Sequence, residues 1–209
     1  MHNSEDTDAD RAKRKWAIAI SNVTIPPVIA VITFALINYS LSSGPSFVAL
    51  TFLTTLFAAI VPLSILIIWA RRTNAHDMDI AARTDRNHPL LLAAVSYLIG
   101  TAVLLIVHAP LPTTAVMFGY FAGTFFLYFV NLRWKISIHT MGIAGPTIVL
   151  IVVFGYWGAL LALLLPPVIW SRIYLKKHTV AQALGGAAVG FLLTALALWL
   201  LLAYGPLYA

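Results

Sequence analysis

Two histidines in this chain stand where long apolar runs begin, each beside a cluster of cations. His139 follows Arg133-Trp134-Lys135-Ile136-Ser137-Ile138, and Ser137 is a good helix start, which places His139 in the first helical turn. His178 closes the segment Ser171-Arg172-Ile173-Tyr174-Leu175-Lys176-Lys177 and opens the final apolar run. Gln182 lies one turn beyond His178, within reach of a hydrogen bond that would fix the imidazole's orientation. Imidazoles at two helix starts, with arginine between them, suit phosphoryl transfer: one attacks phosphorus while the other protonates the departing oxygen. Unpaired N–H groups and the helix dipole attract anions to such positions, and an arginine fork matches paired phosphate oxygens.

A third polar segment, His76 to Pro89, carries Asp77, Asp79, Arg83, Asp85 and Arg86. Asp79 and Arg83 are four apart, so a helical conformation would put carboxylate and guanidinium on one face. Each polar segment also has a plain structural reading, as a solvated loop or an interfacial histidine.

The elements that must position these groups belong in lipid. Of 209 residues 61% are hydrophobic and 10% charged, and the mean hydropathy is +0.91; a soluble domain carries about a quarter charged residues. There is no cysteine, which removes disulfide and thiolate chemistry. The net charge of +6 comes from short clusters between apolar runs, a pattern of membrane topology rather than of nucleic-acid binding. Residues 1–15 read as a polar cytoplasmic tail and residues 16–209 as a single polytopic membrane domain.

A crossing helix needs roughly 20 apolar residues. The sequence predicts spans at Ala17–Asn38, Ser46–Ala70, Leu90–His108, Pro112–Leu132 and Val180–Tyr204. Between Lys135 and Arg172 lie 36 residues without a charge, about 54 Å as one helix against a core of ~30 Å. A turn at Gly155-Tyr156-Trp157-Gly158 divides this stretch into two short helices, for an all-α bundle of about seven transmembrane helices. Seven spans put all 13 lysines and arginines on one side, so the positive-inside rule predicts a multi-pass protein of the cell membrane with a cytoplasmic amino terminus. Gly186 and Gly190 are read as a close helix contact, and Pro166-Pro167 as a kink.

Ser171-Arg172, five residues, then His178 resembles the last signature of the type 2 phosphatidic acid phosphatase superfamily, a family of membrane lipid phosphatases and related enzymes. The order of segments between residues 77 and 190 is similar too: an arginine-bearing first motif, Ser137-Ile138-His139, then Ser171-Arg172 to His178. The resemblance implies a phosphohistidine on His178, with His139 as general acid and Gln182 at the place of the nucleophile's orienting partner. It implies Arg86, Arg172 and Ser137 on the phosphate oxygens. Charge and position add Lys135 and Arg83. Asp77, Asp79 and Asp85 are candidates for a carboxylate partner. The substrate would be a lipid monophosphate or diphosphate, handled with no metal and no cofactor, and membrane lipids are the only other partners implied, with the oligomeric state left open. The chain departs from the family pattern in three ways: Ile136 and Ile138 replace proline and glycine of the second motif, Gln182 replaces an acid, and Asp79 replaces a lysine.

Two other function classes remain open on sequence: a membrane transferase holding Mg²⁺ on Asp77, Asp79 and Asp85 against a lipid diphosphate, and a non-catalytic lipid phosphate-binding or transport protein.

Overall fold

The computed structural model describes residues 8–72 and 87–204, and every regular element among them is helical. The expected first span, Ala17–Asn38, is not one helix. Pro26 and Pro27 lack amide hydrogens and push Ile25 into an extended conformation (φ −61°, ψ 143°). Helix α1 (Asp8–Val23) therefore stops there, and α2 (Pro26–Leu41) starts with proline in its first turn, the two bent by 50°.

Helices α3 (Gly44–Thr55) and α4 (Val61–Arg72) continue through a π-helical turn at Leu56–Ile60. Pro62 follows that turn and cannot donate to it, while the Phe57 carbonyl accepts from Ser96 Oγ at 2.8 Å. Next come α5 (Asn87–Ile106), α6 (Leu111–Asn131) and α7 (Ile138–Phe154), then a 3₁₀ stretch at Gly155–Leu164, α8 (Leu165–Tyr174) and α9 (Val180–Tyr204). Five stretches among the described residues are long and apolar enough to cross a membrane: Gly44–Arg72, Asn87–Ile106, Leu111–Asn131, Ile138–Tyr174 and Val180–Leu201; the bent α1–α2 pair counts as a sixth only if its two helices form one span.

Ile138–Tyr174 is helical throughout, yet it reverses at Gly155. That residue has φ 62° and ψ −144°, a backbone region essentially confined to glycine. Gly158 then lies against the Leu150 main chain, where a Cβ has no room. Tyr156 and Trp157 at the reversal are 76% and 62% exposed, as suits aromatic rings at a bilayer boundary. Pro166 and Pro167 do not kink a helix; they occupy the first turn of α8, where their missing N–H groups leave no bond unmade.

Helix α9 approaches α7 as closely as backbones allow. A Cβ on Gly186 would fall on the Ser137 carbonyl and 2.5 Å from Thr140 Oγ1, and one on Gly190 would sit 2.5 Å from the Met141 carbonyl. The Gly186/Gly190 spacing thus serves packing, as expected. At the far end of the helices, buried Asn38 joins α2 to α3 and α6: its Oδ1 accepts from Thr113 Oγ1 at 2.8 Å and its Nδ2 donates to Thr54 Oγ1 at 3.3 Å. Helix α1 packs along α8, held by Ser171 Oγ on the Ala17 carbonyl (2.7 Å) and Tyr174 Oη on the Asp10 carbonyl (3.3 Å).

Candidate active site

The spacing of the Ser-Arg-to-His segment has a local cause. Helix α8 ends in a paired turn in which Lys177 N donates to the Arg172 carbonyl at 3.0 Å and Lys176 N to the Ile173 carbonyl at 2.9 Å. This is a Schellman termination, and its left-handed position is taken by Lys176 at φ 54°. Glycine is the usual occupant; a side chain there costs roughly 1–2 kcal/mol. His178 N also reaches the Arg172 carbonyl, at 3.3 Å, so the turn delivers the histidine beside the arginine.

The two helix starts are stitched together by main chain. Ser137 N donates to the Gln182 carbonyl at 3.0 Å, and Thr140 Oγ1 donates to the Ala183 carbonyl at 2.7 Å. Ser137 is the N-cap of α7 and its Oγ accepts from Thr140 N at 3.4 Å. The contact brings His178 Nδ1 within 3.3 Å of the Lys135 carbonyl. A carbonyl only accepts, so this partner assigns the ring proton to Nδ1 and leaves the lone pair of the neutral imidazole on Nε2.

Gln182 does not take the expected part. Its Oε1 accepts from Thr179 N at 3.1 Å while Thr179 Oγ1 accepts from Gln182 N at 3.3 Å. That reciprocal pair is a capping box at the start of α9. The imidazole is oriented instead by the Lys135 carbonyl, a partner that side-chain identity cannot reveal.

Arg172, His178 and His139 line one cavity of about 750 Å³, together with Arg14, Lys176 and Lys177. Arg172 is 1% exposed and donates from Nη1 to Ser21 Oγ at 2.7 Å. His178 is 7% exposed. Away from these groups the wall turns apolar, with Pro62, Leu63 and Leu66 of α4 and Leu90, Ala93 and Tyr97 of α5. Among the described residues lining the cavity there is no Asp or Glu. Ser137 and Lys135 are not among the lining residues; their main chain positions the histidines. Arg83, Arg86, Asp77, Asp79 and Asp85 lie outside the described residues.

No family model, curated protein or solved structure matches the chain. What this arrangement can do chemically therefore rests on its own geometry: a buried guanidinium and two imidazoles at helix starts, facing a space with one cationic and one apolar wall.

The sequence reading missed the contribution of α1. Arg14, Ile18, Ser21 and Asn22 form a stripe along one face of that helix and line the same cavity. The spacing was visible in the sequence; what hid it was the assumption of a straight first span, which would carry Ser21 and Asn22 into the bilayer. The break at Pro26-Pro27 instead keeps α1 beside α8 and directs that stripe at Arg172.

Proposed function

We propose that the chain is a membrane lipid phosphatase that cleaves a lipid monophosphate or diphosphate at the cytoplasmic face through a phosphohistidine. The observation that carries the reading is the shared cavity of Arg172, His178 and His139, cationic at one wall and apolar at the other. A lipid phosphate has the same two-part chemistry.

In this reading the Nε2 lone pair of His178 attacks the terminal phosphorus, the P–O bond to the leaving group breaks (the lipid alcohol of a monophosphate, or the bridging oxygen of a diphosphate, which departs as the lipid monophosphate), and protonated His139 gives its proton to the departing oxygen. Water then attacks the phosphorus of the phosphohistidine. His139 takes that water's proton, and inorganic phosphate leaves with His178 restored. The Arg172 guanidinium, fixed by Ser21, faces the charge that builds on the equatorial oxygens, where a preorganised donor acts most strongly. The Lys135 carbonyl on Nδ1 keeps the ring aimed and stabilises its cationic form as the N–P bond grows.

The same reading gives the chain seven crossings, with α7 and the Gly155–Tyr174 arm as separate passes, and puts the amino terminus and all basic loops in the cytoplasm. The alternation of helix direction supports it: Pro26 of α2, Leu90 of α5, His139 of α7 and His178 before α9 all meet one cavity.

Phosphate release by the purified protein from phosphatidic acid and polyprenyl diphosphate, with and without EDTA, tests the assignment. Release persists in EDTA and falls by at least about a thousandfold in His178→Ala. Loss of activity in EDTA would favour a metal-dependent transferase instead, and undiminished release by His178→Ala would remove the mechanism.

A further inference from the structure

Helix α1 has two faces of different chemistry, and among the described residues the fold covers one of them. Ala17 and Ser21 are buried on α8, with the Ala17 carbonyl taking Ser171 Oγ at 2.7 Å. On the opposite side Ala12, Trp16, Ala19 and Val23 follow at intervals of four, three and four residues, which aligns them in one apolar stripe. All four are exposed, Trp16 and Val23 at 66% each. Arg11 and Lys15 stand along one border of the stripe and Lys13 along the other. A tryptophan in the middle of an apolar stripe edged by cations suits a helix lying in a membrane interface, where the indole sits at headgroup depth and basic side chains reach phosphate.

The bend at Pro26-Pro27 sets the depth of α1 independently. Helix α2 has 16 residues, a rise of about 24 Å against a hydrocarbon core of ~30 Å. With α2 across the bilayer, about 6 Å of core is left for the chain before Pro26. Helix α1 is bent from α2 by 50°, so it climbs only about 1 Å per residue along the α2 direction. The chain therefore leaves the core about six residues before Pro26, near Ile20, and Trp16, one turn further, lies among the headgroups. Asp8 and Asp10, at the far end of α1, come out on the water side of Trp16.

We propose that α1 is a membrane-interface helix. Its stripe of Ala12, Trp16, Ala19 and Val23 docks on the bilayer itself, at the boundary between acyl chains and headgroups in the leaflet next to Pro26, with Lys13 and Lys15 towards the lipid phosphates. The bilayer is thereby a structural partner of the cavity, because the same helix carries Ser21, whose hydroxyl accepts from Arg172 Nη1 at 2.7 Å. This inference goes beyond the phosphatase reading and does not depend on it.

Quenching by brominated lipid reads the depth of Trp16. Full-length protein is reconstituted in phosphatidylcholine vesicles whose acyl chains carry bromine either near the headgroup or near the methyl end. The chain has six tryptophans, so the emission of Trp16 is taken as the difference between wild type and Trp16→Phe, a substitution at an exposed position that keeps an aromatic ring. That difference emission is lost more to the shallow bromines than to the deep ones. Stronger quenching by the deep bromines would place α1 in the span, and no quenching by either would place it in water; each result overturns the interface assignment. Nitroxides on Ala12→Cys, Ala19→Cys and Asp8→Cys give a second reading, since the chain has no other cysteine. A water-soluble nickel chelate relaxes the label at Asp8→Cys more than those at Ala12→Cys and Ala19→Cys. Equal relaxation at all three positions would overturn the proposal too. Neither measurement involves turnover, so its failure is separate from any failure of the phosphatase reading.

Discussion

At the scale of single residues, the side chains around His178 divide by what their hydrogen bonds accomplish. Gln182 satisfies the amide of Thr179 and starts a helix; the Lys135 carbonyl holds the imidazole. The Thr179-x-x-Gln182 spacing fits a capping box, and Gln182 is equally spaced for its amide to reach back to the histidine, the only part expected of it from the sequence. Only the positions of the α7 start and the α9 start decide between them, and that is tertiary information. The consequence is a stability effect. Gln182→Ala lowers the unfolding free energy by about 1 kcal/mol, and Gln182→Glu, which can make the same box, recovers it. Thermal unfolding of the two variants in one detergent checks this; equal melting temperatures for wild type and Gln182→Ala would contradict the capping role. Lys176 shows the complementary case, since no side-chain pattern announces that a lysine, and not a glycine, closes a Schellman turn.

At the scale of elements, two backbones in contact set the site. Gly186 lets α9 rest on the Ser137 carbonyl, and from that contact follow the Ser137–Gln182 main-chain bond and the reach of His178 to Lys135. Here the sequence was legible, because a GxxxG spacing in an apolar helix has few uses besides close approach. Gly186→Val pushes branched carbon into backbone that cannot move aside. It destabilises the fold by about 1–3 kcal/mol and separates the two helix starts. Denaturation in mild detergent reads the first effect; a Gly186→Val protein as stable as wild type would show that the helices do not depend on this contact. The first helix was less legible. Its apolar composition after Ala17 matched a span, whereas two consecutive prolines at 26 and 27 already implied a break. Length outweighed local geometry in that reading, although a proline pair fixes where a helix starts more firmly than hydropathy fixes where it ends.

At the scale of the whole molecule, the distribution of charge and the reversal at Gly155 describe one arrangement from two directions. The proposed topology puts the thirteen lysines and arginines on one side only if the chain turns back within the charge-free stretch, and Gly155 adopts a conformation that suits turning back. The chain contains no cysteine, so single cysteines can be placed without background. Arg133→Cys and Lys177→Cys react with an impermeant thiol reagent from the same side of sealed vesicles, and Tyr156→Cys reacts from the opposite side. Arg133 and Lys177 labelled from opposite sides would mean that Ile138–Tyr174 crosses once, and the cavity would then have no membrane face to serve. Helix content was readable from composition because the bilayer imposes it on any sequence; the cavity was not, because it depends on how α1 packs along α8.

The central claim is a covalent one, and the most direct measurement looks for the bond. Purified protein mixed with a ³²P-labelled lipid phosphate and quenched within a turnover carries an acid-labile, base-stable label on the peptide containing His178, and none appears in His178→Asn. Steady phosphate release with no labelled protein at any quench time, and with His178→Asn turning over as fast as wild type, would contradict the account.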